Sequence, residues 1–173
     1  MNKILKGHEK AGSVASIERD IMAFQGRSIE IKNKQAYVQN YLVMVDYSEV
    51  ISNAIDQVSV WFDSLGKILT DIARRELSWV MNETKKYEEK LAKDMAGIEQ
   101  IKELLNVINE IRNKSMDMEL KINEVLEMFR VLKIYEYEIE KEEQDNVDMI
   151  SENWAALIDL AERSDFKLVQ AKK

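Results

Sequence analysis

One long apolar stripe constrains the fold of this chain more than any other feature of its sequence. Between Ile98 and Leu132 its members are spaced alternately four and three residues apart, and only Ser115 is polar: Leu104, Ile108, Ile111, Ser115, Met118, Ile122, Val125, Phe129 and Leu132. This is the heptad spacing of helices that pack side by side. A helix of this span is roughly 50 Å long at about 1.5 Å per residue, so shielding its stripe from water requires partners of similar length.

Two further stripes can provide those partners. The first, within residues 48–93, comprises Ile51, Ile55, Val58, Phe62, Leu65, Leu69, Ile72 and Trp79, with Glu76 as its one polar interruption. The second, in a final helix spanning about Glu142–Lys173, comprises Val147, Ile150, Trp154, Leu157, Ala161, Ser164 and Leu168. Flanking apolar residues widen the first stripe, which indicates contact with more than one neighbouring helix. We therefore predict an all-α fold, an elongated bundle of long antiparallel helices with spectrin-like, coiled-coil-like packing.

The stripes also predict the structural core. We expect the buried side chains to include Trp61, Phe62, Leu65, Leu69, Trp79, Leu104, Ile108, Ile111, Met118, Ile122, Val125, Phe129, Leu132, Trp154 and Leu157. The three tryptophans are the main anchors, because a buried tryptophan removes about 150–250 Å² from water.

Composition agrees with long helices and excludes several classes of partner. Proline, which breaks helix interiors, is absent, and three of the five glycines lie within the first 26 residues. Cysteine is also absent, which excludes disulfides and thiolate metal sites. The net charge of −7 disfavours nucleic acid and anionic membranes as main partners. No apolar run approaches the ~18 residues that a membrane-spanning helix needs.

The pattern divides the chain into residues 1–47, a short helix and connector, and residues 48–173, the long-helix bundle. Residues 1–12 read as a frayed lead-in, Ser13 is the expected cap of the short helix, and Gly26 is its expected end. A chain that ends at Lys173 inside a helical pattern indicates a fragment of a longer protein.

Three boundaries within this division are less sharply marked. Ile29 and Ile31 alternate with charged residues as in a strand, but a helix or extended linker is preferred because a lone strand has no partner. Helical spacing resumes from Tyr37 to Val45. Asp46 or Ser48 can cap the next helix, and Asp94 or Gly97 marks the turn before the organising stripe.

An acidic run lies between the organising stripe, which ends at Leu132, and the stripe of the final helix, which begins at Val147. From Glu136 to Glu152 eight residues are acidic and only Lys141 is basic. The preferred interpretation is a solvated connector and a helix start whose acids match the helix dipole. The alternative is an acidic docking patch for a basic partner, formed by Glu138, Glu140, Glu142 and Glu143.

Motifs for catalysis and cofactor binding are incomplete. Gly66-Lys67 resembles part of a phosphate-binding loop, but Trp61 stands at its first glycine and Ile68 at its hydroxyl position. His8-Glu9 begins a zinc-binding helix motif whose second histidine position is Gly12. With a single histidine that zinc site cannot form, and a Ser-His or Cys-His triad is not expected because the one histidine, His8, lies in the frayed lead-in. We therefore expect no catalytic, cofactor-binding or metal-binding residues, and no enzyme activity in this segment.

The segment Ile101–Ile139 resembles the tail (stem) of dynein heavy chains, in particular axonemal ones. The resemblance rests on the order of Ile111-Arg112, Met118-Glu119-Leu120 and Phe129-Arg130-x-Leu132. Trp154-x-x-Leu157 and the residues after it are similar to the segment that leads into the dynein linker. More loosely, the likeness extends over residues 17–173.

This resemblance implies a mechanical role in a microtubule motor. The segment would transmit force and present surfaces for other dynein heavy, intermediate or light chains, for adjacent tail bundles or for axonemal docking. Its location would be the cytoplasm and cytoskeleton, in the axoneme of a cilium or flagellum, and the ATPase ring would lie elsewhere. Two alternatives remain open: an unrelated spectrin-like spacer, tether or oligomerisation module, and a curved membrane-binding bundle, which would need a basic face.

Overall fold

The computed structural model describes residues 13–92 and 98–171. The elements are α1 (Val14–Lys32), β1 (Tyr37–Asn40), β2 (Val43–Asp46), α2 (Ser48–Leu91), α3 (Ile98–Ile134) and α4 (Lys141–Ala171). The predicted all-α fold is confirmed, with one short hairpin added to it in the described residues. Our expectations for residues 1–12, Asp94 and Gly97 fall outside the described residues.

The chain forms two compact units, of which the first ends at Ile72 and the second begins at Ala73. The division therefore lies inside α2. The predicted boundary between residues 47 and 48 coincides with the start of α2, and the predicted division into domains stays a prediction.

In the first unit, α1 begins as its sequence predicts. The Ser13 side chain accepts a hydrogen bond from the Ser16 N–H at 3.3 Å, which satisfies one of the free donors of the first turn. The predicted end at Gly26 is wrong, since the helix continues to Lys32 and is capped by Asn33. Gly26 would end a helix by adopting a positive φ, but it keeps helical backbone on an exposed face, where an added Cβ atom would meet nothing within 4 Å.

A β-hairpin follows α1 where the sequence predicts helical spacing. The strands pair antiparallel, with Val38 opposite Val45 and Asn40 opposite Val43, and Tyr41-Leu42 forms the loop. The spacing from Tyr37 to Val45 also fits a strand alternation, and tyrosine and valine favour strands. The helical prediction was wrong because this segment lacks the buried face that selects a helix: Tyr37, Val38 and all residues from 41 to 50 are exposed.

The start of α2 is held by the last residue of the hairpin. The Asp46 carboxylate accepts a hydrogen bond from the Ser48 N–H at 2.8 Å. Hydrogen bonding from the Ser48 side chain, together with this backbone bond, lowers the pKa of Asp46. Further along, the first unit buries Ile17 and Ile21 of α1 with Leu65 and Leu69 of α2.

The aromatic residues of the first unit pack less deeply than predicted. The rings of Phe24 and Trp61 lie 5.2 Å apart at an angle of 44°, so α1 packs against the first half of α2. Trp61 and Phe62 are half-buried, whereas we expected both of them in the core.

The second unit is a bundle of three helices: residues 73–91 of α2, α3 and α4. Glu76 pairs with Lys121, and Tyr87 bonds to Glu110. A later residue of α2 thus meets an earlier residue of α3, so the two helices are antiparallel. Arg112 pairs with Asp165, and the connection from α3 to α4 is only six residues long, so α4 is antiparallel to α3. The antiparallel packing predicted for the long helices is thereby confirmed.

The core of this bundle follows the α3 and α4 stripes closely. The buried residues of these two helices are Leu104, Ile108, Ile111, Met118, Ile122, Val125, Met128, Phe129, Val131, Leu132, Val147, Ile150, Trp154, Leu157, Ala161 and Leu168. Ser115 is half-buried and its hydroxyl bonds to the Glu119 carboxylate at 3.1 Å. One polar residue in the α3 stripe is thus accommodated without interrupting the core.

On α2 the predicted stripe is wrong beyond Leu69, and Trp79 is not a core residue. Trp79 is 48% exposed, and the buried positions are instead Ala73, Leu77, Val80, Thr84, Tyr87 and Leu91. From Leu65 the steps to Leu69, Ala73 and Leu77 are all four residues, so two extra four-residue steps are inserted before the heptad spacing resumes at Val80. Such an insertion rotates the apolar face around the helix and turns Trp79 outward.

The end of α3 forms a tight cap without glycine. The Tyr137 N–H donates to the Leu132 carbonyl at 2.9 Å and the Glu136 N–H to the Lys133 carbonyl at 3.2 Å. This is the bonding of a Schellman cap, in which the residue past the helix end takes the left-handed conformation. Glu136 holds that position with φ 58°, which places the six-residue turn into α4.

Candidate interaction surfaces

The predicted acidic patch lies at the start of α4, and two of its four residues, exposed Glu140 and half-buried Glu143, bond to α2. The Glu143 carboxylate accepts the Glu140 N–H at 3.2 Å, as in a capping box. The Arg74 guanidinium of α2 donates to Glu143 through Nε and Nη2, and to the Glu140 carboxylate at 3.2 Å. Arg74 thus ties the first turn of α4 to α2, a pairing that the local sequence around α4 does not reveal.

The other two residues of the patch are open to solvent. Glu138, in the turn, and Glu142, in the first helical turn, are both exposed. An exposed carboxylate near a helix start also stabilises that helix through its dipole. A docking role for Glu138 and Glu142 therefore stays a prediction.

A polar cluster joins α2 to α3 around Tyr87. The Tyr87 ring is buried, and its hydroxyl donates to the Glu110 carboxylate at 3.1 Å and accepts from the Lys114 ammonium at 3.0 Å. Lys114 also donates to Glu110 at 3.0 Å, and Lys90 approaches that carboxylate at 3.9 Å. Lys90 Nζ lies 5.3 Å from the Tyr87 ring centroid, within the range of a cation–π contact.

Charges in this cluster favour one protonation state. Burial raises the pKa of the Tyr87 hydroxyl, whereas hydrogen bonds from Lys114 and Tyr87 lower the pKa of Glu110. Hydrogen bonding to Tyr87 and Glu110 raises the pKa of Lys114 well above its usual range. Near neutral pH the cluster is a neutral phenol between an ammonium and a carboxylate, which suits a structural clasp between helices.

A groove between α3 and α4 contains the one buried side-chain donor without an acceptor in the described residues. The Trp154 side chain is 2% exposed, and its indole N–H meets no hydrogen-bond acceptor there. The groove encloses about 310 Å³ and is lined by Ser151 and Ala155 on α4 and by Glu119 and Asn123 on α3. The small side chains of α4 make this face concave beside the tryptophan.

The most exposed apolar surface is the hairpin, which the sequence pattern did not predict. Tyr41 is 93% exposed, Leu42 is fully exposed and Met44 is 68% exposed. One sequence signal could have identified it: residues 35–45 contain no charged side chain, in a chain of which 33% is charged. An uncharged run of this length that is not buried is typical of an interaction site.

Metal-binding and membrane-spanning features do not add a further site to the described part of the chain. In residues 13–92 and 98–171 no group of three or more histidine, aspartate or glutamate side chains could hold a metal ion. None of the helices in those ranges is long and apolar enough to cross a membrane.

The helical architecture and the heptad cores define a coiled-coil segment. The family model described as the dynein axonemal heavy chain 2/5/8 coiled-coil matches residues 64–173, so this chain belongs to that family of axonemal dynein heavy chains. The resemblance to a dynein tail is confirmed. The match comprises the end of α2 together with α3 and α4, and it begins after the hairpin.

Individual relatives extend the similarity towards the N-terminus. The chain is 24% identical over 166 residues to the dynein-1-alpha heavy chain, flagellar inner arm I1 complex, of Chlamydomonas reinhardtii, covering 93% of this chain and 4% of that protein. It is 27% identical over 128 residues to dynein axonemal heavy chain 10 of Homo sapiens, covering 74% of this chain and 3% of that protein. It is 22% identical over 148 residues to dynein axonemal heavy chain 5 of Mus musculus, covering 86% of this chain and 3% of that protein. The chain thus spans only 3–4% of the length of these relatives.

Proposed function

We propose that this chain is a structural segment of a dynein heavy chain tail that transmits force within the motor and presents surfaces for associated chains or for axonemal docking. The observation that carries the proposal is the second unit, in which polar contacts tie each helix to the other two. Glu76–Lys121 and the Tyr87 cluster join α2 to α3, Arg74 joins α2 to α4, and Arg112–Asp165 joins α3 to α4.

A bundle built in this way suits mechanical load. Its apolar core resists separation of the helices, and directional contacts at several levels oppose sliding along the helix axes. Three helices side by side also resist bending better than one. A force applied at one end of α3 is therefore shared with α2 and α4, and none of these contacts requires a bound ligand.

The expected partners follow from the family. They are other dynein heavy chains, intermediate or light chains, and adjacent tail bundles, with no nucleic acid or membrane among them. The names of the relatives, axonemal and flagellar, support a location on the cytoskeleton of a cilium or flagellum. The family match is to a coiled-coil, which supports a segment that uses no cofactor and has no enzyme activity of its own.

Binding of the 173-residue chain to purified dynein intermediate and light chains tests the presentation of surfaces. We expect at least one of these chains to be retained by the immobilised segment. Glu138→Gln with Glu142→Gln should weaken that binding if the exposed acids contact the partner, whereas Glu88→Gln with Glu89→Gln, which removes two exposed acids from α2, should not. Failure of every dynein chain to bind would favour a spectrin-like spacer.

Force transmission needs a separate measurement. Optical tweezers attached at both ends of the chain should record one abrupt unfolding step for residues 73–171, because the core and the cross-helix contacts form one cooperative unit. Gradual extension of this part at low force would contradict the mechanical role.

A further inference from the structure

The groove between α3 and α4 is bordered on its α3 side by exposed apolar side chains. Glu119 and Asn123 of α3 line the groove. Met116 precedes Asn123 by seven residues and Leu120 precedes it by three, so both share this side of the helix. Met116 is 74% exposed and Leu120 is 59% exposed. The α3 wall of the groove thus presents apolar surface that the bundle itself does not cover.

The α4 wall of the same groove is acidic. Ala155 lines the groove. Asp148 and Glu152 precede Ala155 by seven and three residues, and these positions share one side of the helix. Glu162 follows Ala155 by seven residues and shares that side as well. All three acids are exposed, and none forms an ion pair within the part of the chain that the structure describes, so their charge is open to a basic partner.

The floor of the groove provides a second, independent indication of a partner. The Trp154 ring lines the groove and is buried, and its indole N–H has no acceptor among the described residues. A buried donor without an acceptor is unfavourable, and nearly all buried polar groups of folded proteins are paired. A partner that carries an acceptor into this groove therefore gains a hydrogen bond that the bundle alone does not make.

The charges of the chain disfavour its own helices as that partner. α4 contains eight acidic and three basic residues. In α1 acidic and basic residues are equal in number, and in α2 and α3 the acidic ones are in excess. A second copy could therefore offer no basic helix to the acidic wall. An anionic membrane or a nucleic acid would be repelled by it.

We propose that the groove between α3 and α4 binds a basic amphipathic helix from outside these 173 residues. Two adjacent antiparallel helices form long walls, which suit the packing of a helix into a groove. The apolar stripe of the partner packs on Met116 and Leu120, its lysine or arginine residues face Glu152 and Glu162, and one of its acceptors bonds to Trp154. This inference rests on the proposed function, because it names the chemistry of one chain for which the segment presents a surface.

A synthetic helix is the first probe. It comprises about three heptads, with leucine at a and d, one glutamine at a central a position, and lysine at the flanking positions. Fluorescence anisotropy measures its binding to the full chain. We expect Glu152→Lys with Glu162→Lys to weaken this binding by about ten-fold or more, because both charges facing the probe are reversed.

The matched control is Glu88→Lys with Glu89→Lys, which makes the same change of charge at two exposed acids of α2 and should weaken binding far less. A second probe, with glutamate in place of every lysine, should bind more weakly than the first by about ten-fold or more. Circular dichroism verifies that each variant keeps its helical content, since every substituted side chain is exposed.

The indole N–H resonance of Trp154 shows whether the probe lies in the groove. The chain has three tryptophans, and Trp61→Phe and Trp79→Phe identify the resonances of the other two in a proton–nitrogen correlation spectrum. We expect the lysine probe to shift the Trp154 resonance, because its N–H gains an acceptor. The resonance of half-exposed Trp79, which does not line this groove, should stay in place.

Three results would overturn the inference. The first is a lysine probe that binds no better than the glutamate probe. The second is an equal loss of affinity in the α4 and α2 double variants, which would indicate unspecific attraction of charge. The third is a Trp154 resonance that does not move at saturating probe. The retention of intermediate or light chains by the segment is measured separately, so the proposed function can stand when this inference fails.

Discussion

Ile122 lies in the second half of α3 with its side chain buried in the core of the second unit. Ile122→Asp would place a carboxylate there without a partner, which we expect to cost about 3–5 kcal/mol in free energy of unfolding. Asn123→Asp is the matched control, since it introduces the same charge at the adjacent exposed position. Urea denaturation monitored by circular dichroism should show that Ile122→Asp, and not Asn123→Asp, loses the cooperative unfolding transition of the second unit. An unchanged urea midpoint for Ile122→Asp would show that Ile122 does not lie in the core.

Trp79 and Trp154 form a second matched pair of residues, one half exposed and one buried. Trp154 is almost fully buried, so Trp154→Ala should lower the free energy of unfolding by about 3–5 kcal/mol. Trp79 is half exposed, and Trp79→Ala should cost less than about 1 kcal/mol. The same denaturation measurement distinguishes them. Equal costs would mean that the apolar face of α2 is not rotated after Leu69.

The polar cluster around Tyr87, which joins helices α2 and α3, should make the free energy of unfolding depend on pH. The pKa of Glu110 is lowered in the folded state, so its contribution is present above its ordinary value of 4.5 and is lost as the pH falls below it. The pKa values of Tyr87 and Lys114 are raised, so their contributions are present below 10.0 and 10.5 and are lost as the pH rises further. We expect stability to decline on both sides of this window.

The substitution Tyr87→Phe tests the contribution of this polar cluster to stability. It removes the hydroxyl and keeps the buried ring, so we expect a loss of about 1 kcal/mol near neutral pH. The variant should also lose less stability than wild type between about pH 9 and 11, because one of the two groups that titrate there is gone. Thermal melts across this range provide the measurement. Parallel pH profiles for the two proteins would show that Tyr87 does not titrate with folding.

Helical elements were predictable where one stripe decided them. The heptads of α3 and α4 specify their buried residues, because in a regular helix the spacing between two residues determines whether they lie on the same face. The α2 prediction failed at Ala73, since alanine fits the inside or the outside of a stripe and Trp79 favoured the wrong continuation. The hairpin was missed because its few residues fit two periodicities and no buried face chooses between them.

For the whole molecule, the sequence predicted a helical bundle and its family, but not the contacts that join its helices. Arg74 meets Glu143 and Arg112 meets Asp165 across long stretches of chain, and no local pattern relates such partners. In the acidic patch, likewise, Glu140 and Glu143 bond to Arg74 of α2, and the local sequence does not separate them from Glu138 and Glu142. Long-range pairing became visible only with the fold.

Residues 73–91 of α2 lie beside α3 and α4 and run parallel to α4, and distances between spin labels measure this arrangement. Two double-cysteine variants are made: both carry a cysteine at exposed Arg75, and the second cysteine stands at exposed Glu142 in one and at exposed Glu162 in the other. The distance between the two spin labels of each variant is measured by double electron–electron resonance. We expect a short distance between labels at 75 and 142. The distance between labels at 75 and 162 should be longer by up to about 30 Å, because about 20 residues of helix rise about 1.5 Å each. Equal distances, or a shorter one for 75–162, would contradict it.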